Sequence, residues 1–228
     1  MHKLIPLLAL YSFGTVLGQT VATRSPFIRS IGEGTVAISP DQAKVDISLT
    51  TQAATADTAA SQNATQTQAV IDKLNQLLGA NADIKTINYS LSPNYNYPPN
   101  GTPILIGFIA NNTVEVTTAN LSGVGKIIDT AVQAGANGVS SLRFGLQNDQ
   151  PARQQALRLA SIQAKAKADA IALGLGVHTG TVLAAQEGVV SVQPVGPQAV
   201  GTAAATTPVQ PGNLTIVADV TLDVAITQ

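Results

Sequence analysis

The sequence predicts an α+β fold: a mixed, largely antiparallel sheet with three helices packed on it, in the order ββαβ-βαβ-αββ. Three observations carry this. Seven segments alternate apolar and polar residues with a period of two, against three with a helical period. Hairpin-like strand pairs mix with strand–helix–strand crossovers, which places helices on one face of a sheet. Residues 151–180, PARQQALRLASIQAKAKADAIALGLGVHTG, hold an alanine at every fourth place: Ala152, Ala156, Ala160, Ala164, Ala168 and Ala172. Residues four apart form a ridge and alanine has the highest helix propensity. The pattern is therefore a long helix with one smooth face, stopped by Gly174 and Gly176.

The remaining elements follow in chain order. Ile28 to Ser39 alternates as a strand, with Gly32 and Gly34 expected to weaken or bend it. Ser39-Pro40-Asp41-Gln42 reads as a turn. Val45, Ile47 and Leu49 alternate with Lys44, Asp46 and Ser48, so a second strand is expected to form a hairpin with the first. Asp57 to Leu78 is helical, with Val70, Ile71, Leu74, Leu77 and Leu78 on one face and Gly79 at the cap position. Ile84 to Leu91 returns as a strand. Ser92 to Pro103 is a Pro/Asn loop carrying Tyr95 and Tyr97, and Ile104 to Thr118 is a strand. Leu121 to Ala134 is a second helix ended by Gly135, and Val139 to Leu146 a strand. After the alanine helix, Thr181 to Gln186 starts a strand. Residues 191–212 are low complexity, with four prolines and no charge, and are expected to form a flexible loop. Leu214 to Ile226 closes the chain as a strand.

Hydrophobic residues make up 45% of the 228, so a packed core is attainable. Aromatics are only 4%, which rests that core on Ala, Val, Ile and Leu. Charged residues are 11%, well below the roughly 25% of an ordinary soluble domain. The formal net charge of −1 argues against a nucleic-acid binder. The absence of cysteine removes thiol catalysis, cysteine-based zinc sites and iron–sulfur clusters.

Residues 1–18 read as a signal peptide. His2 and Lys3 precede an apolar run from Leu4 to Leu17, with a cut expected ahead of Gln19 or, alternatively, after Ala22. The run is shorter than the about 20 residues of a membrane span, and no later segment is apolar enough to cross. Loss of Lys3 leaves 11 basic against 13 acidic residues and a net charge of −2. Residues 19–27 are then a linker and residues 28–227 one domain. A periplasmic or secreted location is expected.

Candidate chemistry is sparse. His178 is the one histidine beyond the leader and could act as a general base only with a partner; an exposed or helix-capping role is the simpler reading. Gly174-Leu-Gly176-Val-His-Thr-Gly180 imitates a dinucleotide glycine loop, but it follows a helix and precedes a strand, the reverse of what phosphate binding needs. Val124-Gly125-Lys126-Ile127 lacks the first Gly and the Ser/Thr of a P-loop. Asp41 with Asp46, or Asp219 with Asp223, could meet on a sheet, although solubilising an exposed face is the simpler role. Arg153, Arg158, Lys165 and Lys167 read as a solvated helix flank or a polar partner surface. Tyr89, Tyr95 and Tyr97 suit either an interface or local packing under a Pro-rich turn. No catalytic, cofactor-binding or metal-binding residue is assigned.

Several short motifs recur in a fixed order: Gly32-Glu-Gly34-Thr-Val before Ser39-Pro40-Asp41-Gln-Ala43; Asp83-Ile84-Lys85-Thr86; Gly107-Phe108-Ile-Ala110-Asn111-Asn112-Thr-Val114; Ile128-Asp129 through Gly135-Ala136-Asn137; Arg153 to Ala172 with Leu173-Gly174; and Pro211-Gly212. This ordered set resembles the SIMPL-domain family of exported bacterial proteins over about residues 28–227. The exit Gly174-Leu-Gly176-Val-His-Thr-Gly180 departs from the family's Gly-x-x-Leu-Gly step. The resemblance implies an α+β fold, an exported or periplasmic location, a tendency to oligomerise and links to envelope or oxidative-stress phenotypes, with no catalytic residues to carry over. The expected protein is a non-enzymatic, self-associating envelope protein whose partner is another copy or an envelope protein. A binding module for an envelope peptide or glycan is the alternative, and a hydrolase with an unrecognised site the more distant one.

Overall fold

The alternation of β2 (Gln42–Ala53) sends Val45, Ile47 and Leu49 to one face, where all three are fully buried. Pairing with β4 (Ile104–Thr118) sets Val45 opposite Val116 and Ile47 opposite Val114, a β-branched patch suited to a pleated surface. In this computed structural model, which describes residues 25–79, 82–99, 101–194 and 207–228, two further strands complete that sheet. β5 (Gly138–Gly145) pairs on the other side of β2 and β3 (Asp83–Asn96) on the outer side of β4, giving the antiparallel order β3-β4-β2-β5. The patch is roofed by α1 (Ala56–Leu78) and α2 (Val124–Gln133), which bury Val70, Leu74, Val124, Ile127, Ile128 and Ala131 against it. The Thr55 side chain accepts from Thr58 N at the start of α1, and Gly79, at φ 94, ends it.

The alanine helix α3 (Gln150–Gly174) covers a second antiparallel sheet of order β1-β7-β6, made of β1 (Phe27–Ile38), β7 (Leu214–Thr227) and β6 (His178–Pro194). All six ladder alanines are buried. Facing them, β1 presents Ser30, Gly32 and Gly34. A Cβ at Gly32 would lie 2.0 Å from the Ala160 carbonyl oxygen, and one at Gly34 2.0 Å from that of Ala156. Ser30 Oγ donates to the Ala164 carbonyl at 2.8 Å. Helix backbone thus rests on strand backbone, which only small residues on both sides permit. The glycines do not interrupt β1, which pairs with β7 without a register break from Phe27 to Ile38. The helix ends in a Schellman turn: Gly176 (φ 70) donates to Leu173 O at 3.1 Å and Val177 N to Ala172 O at 3.0 Å.

The element order is the expected one, and the fold is α+β with three helices on antiparallel strands. The strands divide between two sheets instead of forming one. The expected β1–β2 hairpin does not form, because each strand belongs to a different sheet. Both edges of β2 are already taken by β4 and β5, and the link through Pro40 lacks the Asn-Gly or Gly-x residues of a tight hairpin turn. The Tyr-containing segment also departs from expectation. Ser92 to Asn96 continue β3, with Pro93 on its edge strand, so only the end of the Ser92–Pro103 stretch is a loop. At the low-complexity stretch, β6 runs on to Pro194. Residues 195–206, the leader 1–18 and residues 19–24 of the expected linker lie outside the described residues.

Past that gap the chain crosses to the first sheet's helices before entering β7. Thr207 Oγ1 donates to Asp129 Oδ1 at 2.6 Å and Thr207 N to Asp129 Oδ2 at 3.3 Å. Val209 packs on the core beneath α2. Gly125 makes room for this strap, since a Cβ there would sit 2.3 Å from the Thr207 carbonyl oxygen.

Candidate functional site: an open edge and an apolar arm

His178 opens β6 with its ring exposed, and its carbonyl accepts from Thr227 Oγ1 at 3.4 Å. Among the described residues no side chain hydrogen-bonds to the ring, so no general-base pair assembles. The Gly174–Gly180 segment is the Schellman exit into β6. Gly125, in the other glycine-containing stretch, is packed under the strap. Asp41 and Asp46 do not pair with each other: Asp41 Oδ1 accepts from Gln147 N at 2.7 Å, and Asp46 binds Arg143. Asp219 and Asp223 alternate onto one face of β7, where Asp223 is held by Arg29 through two contacts of 2.7 Å. That guanidinium holds the Asp223 carboxyl below the usual carboxylate range, and Asp223 in turn raises Arg29. No cluster of three or more His, Cys, Asp or Glu suited to a metal occurs among the described residues.

The smooth alanine face is spent inside its own unit against β1 and β7. Three of the four basic residues on α3 are likewise engaged within the chain. Arg153 reaches Asp149 at 2.6 Å and Val190 O at 3.2 Å. Lys167 donates to Ile31 O at 2.9 Å. Lys165 pairs with Asp169, whose carboxyl it and then Thr179 hold low.

The outer face of the first sheet carries an ion network that the sequence reading missed. Arg143 grips Asp46 with two bonds of 2.8 and 3.0 Å and reaches Glu115 at 3.0 Å; Lys44 meets Glu115 at 3.3 Å. The carboxylate of Asp46, hydrogen-bonded first, raises the Arg143 pKa further. The signal was present as polar residues on the outward phase of three strands, but joining them needs the strand order. These groups satisfy one another and leave no free nucleophile or base.

Two of the exposed surfaces are apolar. In the order β1-β7-β6, the outer edge of β6 is unpaired among the described residues. It carries exposed Val182, Leu183 and Val189, the last 74% exposed. Its one charged residue is Glu187. Three register irregularities against β7 divide the strand, at Thr179/Val182, Val182/Ala184 and Glu187/Val190. A hollow of about 300 Å³ bordered by Phe27, Arg29, Leu183 and Asp223 adjoins it. The β3–β4 hairpin exposes Tyr89 and Leu91 along β3 and Tyr95, Tyr97, Ile104, Leu105 and Ile106 at its distal end, and the rings of Tyr95 and Tyr97 lie 6.4 Å apart. Among the described residues no helix is long and apolar enough to cross a membrane.

Residues 28–224 match the family model SIMPL, described as a protein of unknown function (DUF541). The chain is 31% identical over 166 residues to the 26 kDa periplasmic immunogenic protein of Brucella melitensis, covering 68% of this chain and 66% of that protein's own length. It is 30% identical over 195 residues to the uncharacterized protein YggE of Escherichia coli strain K12, covering 84% of this chain and 78% of that one. The aligned part therefore spans just under two thirds of the Brucella relative. With the match running from β1 into β7, the chain belongs to the SIMPL family.

Proposed function

We propose that this chain is an exported, non-enzymatic envelope protein that works by self-association, with the outer edge of β6 as its contact. The observation that carries the reading is that edge: a strand of 17 residues, unpaired on one side among the described residues, with one charge and three exposed aliphatic side chains. Such edges offer both unpaired backbone groups and apolar area to another chain. The irregularities in β6 divide its ladder, so the side chains around Val182, Leu183 and Val189 would contribute much of the contact. A periplasmic location is supported by the printed name of the Brucella relative and by the leader-like residues 1–18. An envelope-stress role is the one the family resemblance implies.

The test uses the chain from Gln19 onward and its Val182→Lys/Val189→Lys variant. Lysine on an edge strand opposes strand addition. Light scattering should give a multiple of the chain mass for the parent and a single chain for the variant. An unchanged oligomer in the variant removes β6 from the reading. A binding module for an envelope peptide remains the second reading, favoured by the same open edge, since an extended peptide could add to it. A monomeric parent that retains a peptide from envelope extract at β6 would favour it.

A further inference from the structure

The β3–β4 hairpin outruns the sheet that supports it. β2 pairs with β4 from Thr118 only as far as Phe108. Beyond that point Ile104–Gly107 and, opposite them, Asn94–Asn96 continue as a two-stranded ribbon. Two strands alone are marginal in water, and this ribbon is apolar as well. Ile104, Leu105 and Ile106 are 55%, 49% and 58% exposed, and Tyr97 at its end 72%. Ile104 and Leu105 are adjacent on one strand and so point to opposite faces. From Thr86 to Val114 the sequence contains no Asp, Glu, Lys, Arg or His. Pro93, Pro98, Pro99 and Pro103 remove four N–H donors from the same end.

These facts discriminate between occupants. A flat protein partner would cover one face and leave the other wet. A strand-adding peptide would pair with one backbone edge and leave the side chains on both faces wet. A medium that surrounds the tip, takes uncharged side chains on both faces and leaves tyrosine hydroxyls hydrated is the interfacial layer of a bilayer. We propose that the tip of the β3–β4 hairpin inserts into the surface of a lipid bilayer, independently of lipid charge. The four overhanging residues of β4 reach about 13 Å, enough to pass a headgroup layer of about 6 Å. Deeper entry is opposed by the unpaired backbone of the β3 edge, since hydrocarbon offers no hydrogen bonds. The contact is therefore peripheral and goes beyond the self-association reading.

The chain supplies its own probe. It has no tryptophan, and its four tyrosines are Tyr11, Tyr89, Tyr95 and Tyr97. In the chain from Gln19 onward, which retains every described residue, all tyrosine emission comes from this hairpin, with Tyr95 and Tyr97 at its tip and Tyr89 further back opposite Asn112. Phosphatidylcholine vesicles brominated on the acyl chains should quench it while unbrominated vesicles do not, in low and high salt alike. Leu105→Asp/Ile106→Asp, at exposed positions, should abolish the quenching with the far-ultraviolet circular dichroism unchanged. Tyr97→Ser, should the double variant misfold, should weaken co-sedimentation with the vesicles. Absence of quenching in the parent, or equal quenching in a folded double variant, overturns the proposal. A double variant that changes the mass of the lipid-free protein but not its vesicle binding assigns the tip to a second copy instead. A monomeric parent that binds vesicles leaves this proposal standing while ending self-association; an oligomer that ignores vesicles does the reverse.

Discussion

A methyl group at Gly34 would sit 2.0 Å from the Ala156 carbonyl oxygen, and the atom in its way is backbone. Helix or strand must move to admit it, so Gly34→Ala should lower the free energy of unfolding by about 3 kcal/mol in urea titration. Gly174→Ala is the contrast: nothing lies within 4 Å of its Cβ position, and alanine there should be neutral or stabilising by up to about 1 kcal/mol. The Arg29–Asp223 pair makes a pH prediction. Asp223 is depressed in the folded state, chiefly by its hydrogen bonds to Arg29. Its contribution is therefore complete above the ordinary aspartate pKa of about 3.9 and lost as pH falls through the depressed folded value. The melting temperatures of the parent and Arg29→Gln should differ near neutral pH and converge in acid. Exposure of Arg29 keeps that difference small. At this scale the sequence showed the glycines and the alternating aspartates. It did not show that Gly32 and Gly34 face the alanines, because that depends on which strand lies under the helix.

At the scale of elements, the alanine spacing located α3 to within a residue or two, since a four-residue period over six repeats admits little but a helix. The pairing of strands was less legible. β1 finds its partner at the far end of the chain, with Phe27 opposite Ala225, and alternation records a face, not a neighbour. Local turn residues suggested β2, and the occupied edges of β2 overruled them. The Pro/Asn composition of residues 92–96 likewise read as loop, yet an edge strand tolerates Pro93 because one side needs no N–H. The same freedom at β6 underlies the prediction that lysines at Val182 and Val189 dissolve the assembly.

For the whole molecule, two helix-covered sheets are joined by the short Ser39–Asp41 passage, by the Leu146–Asp149 passage from β5 into α3, and by the Thr207–Val209 strap on α2. The interior is used up by packing, from the alanine ladder to Gly125, and the charges that meet on the sheets mostly neutralise one another. What remains available is surface: the β6 edge, whose use by a second copy is the central claim, and the hairpin tip, whose use by lipid is separate from it. The candidate surfaces were only partly legible in sequence, because an edge exists only once the strand order is known. The most direct measurement is the absolute mass of the chain from Gln19 onward, by multi-angle light scattering across the micromolar range without lipid. Self-association through β6 predicts an integral multiple of the single-chain mass, falling on dilution or with lysines in β6. A mass of one chain at every concentration would contradict it.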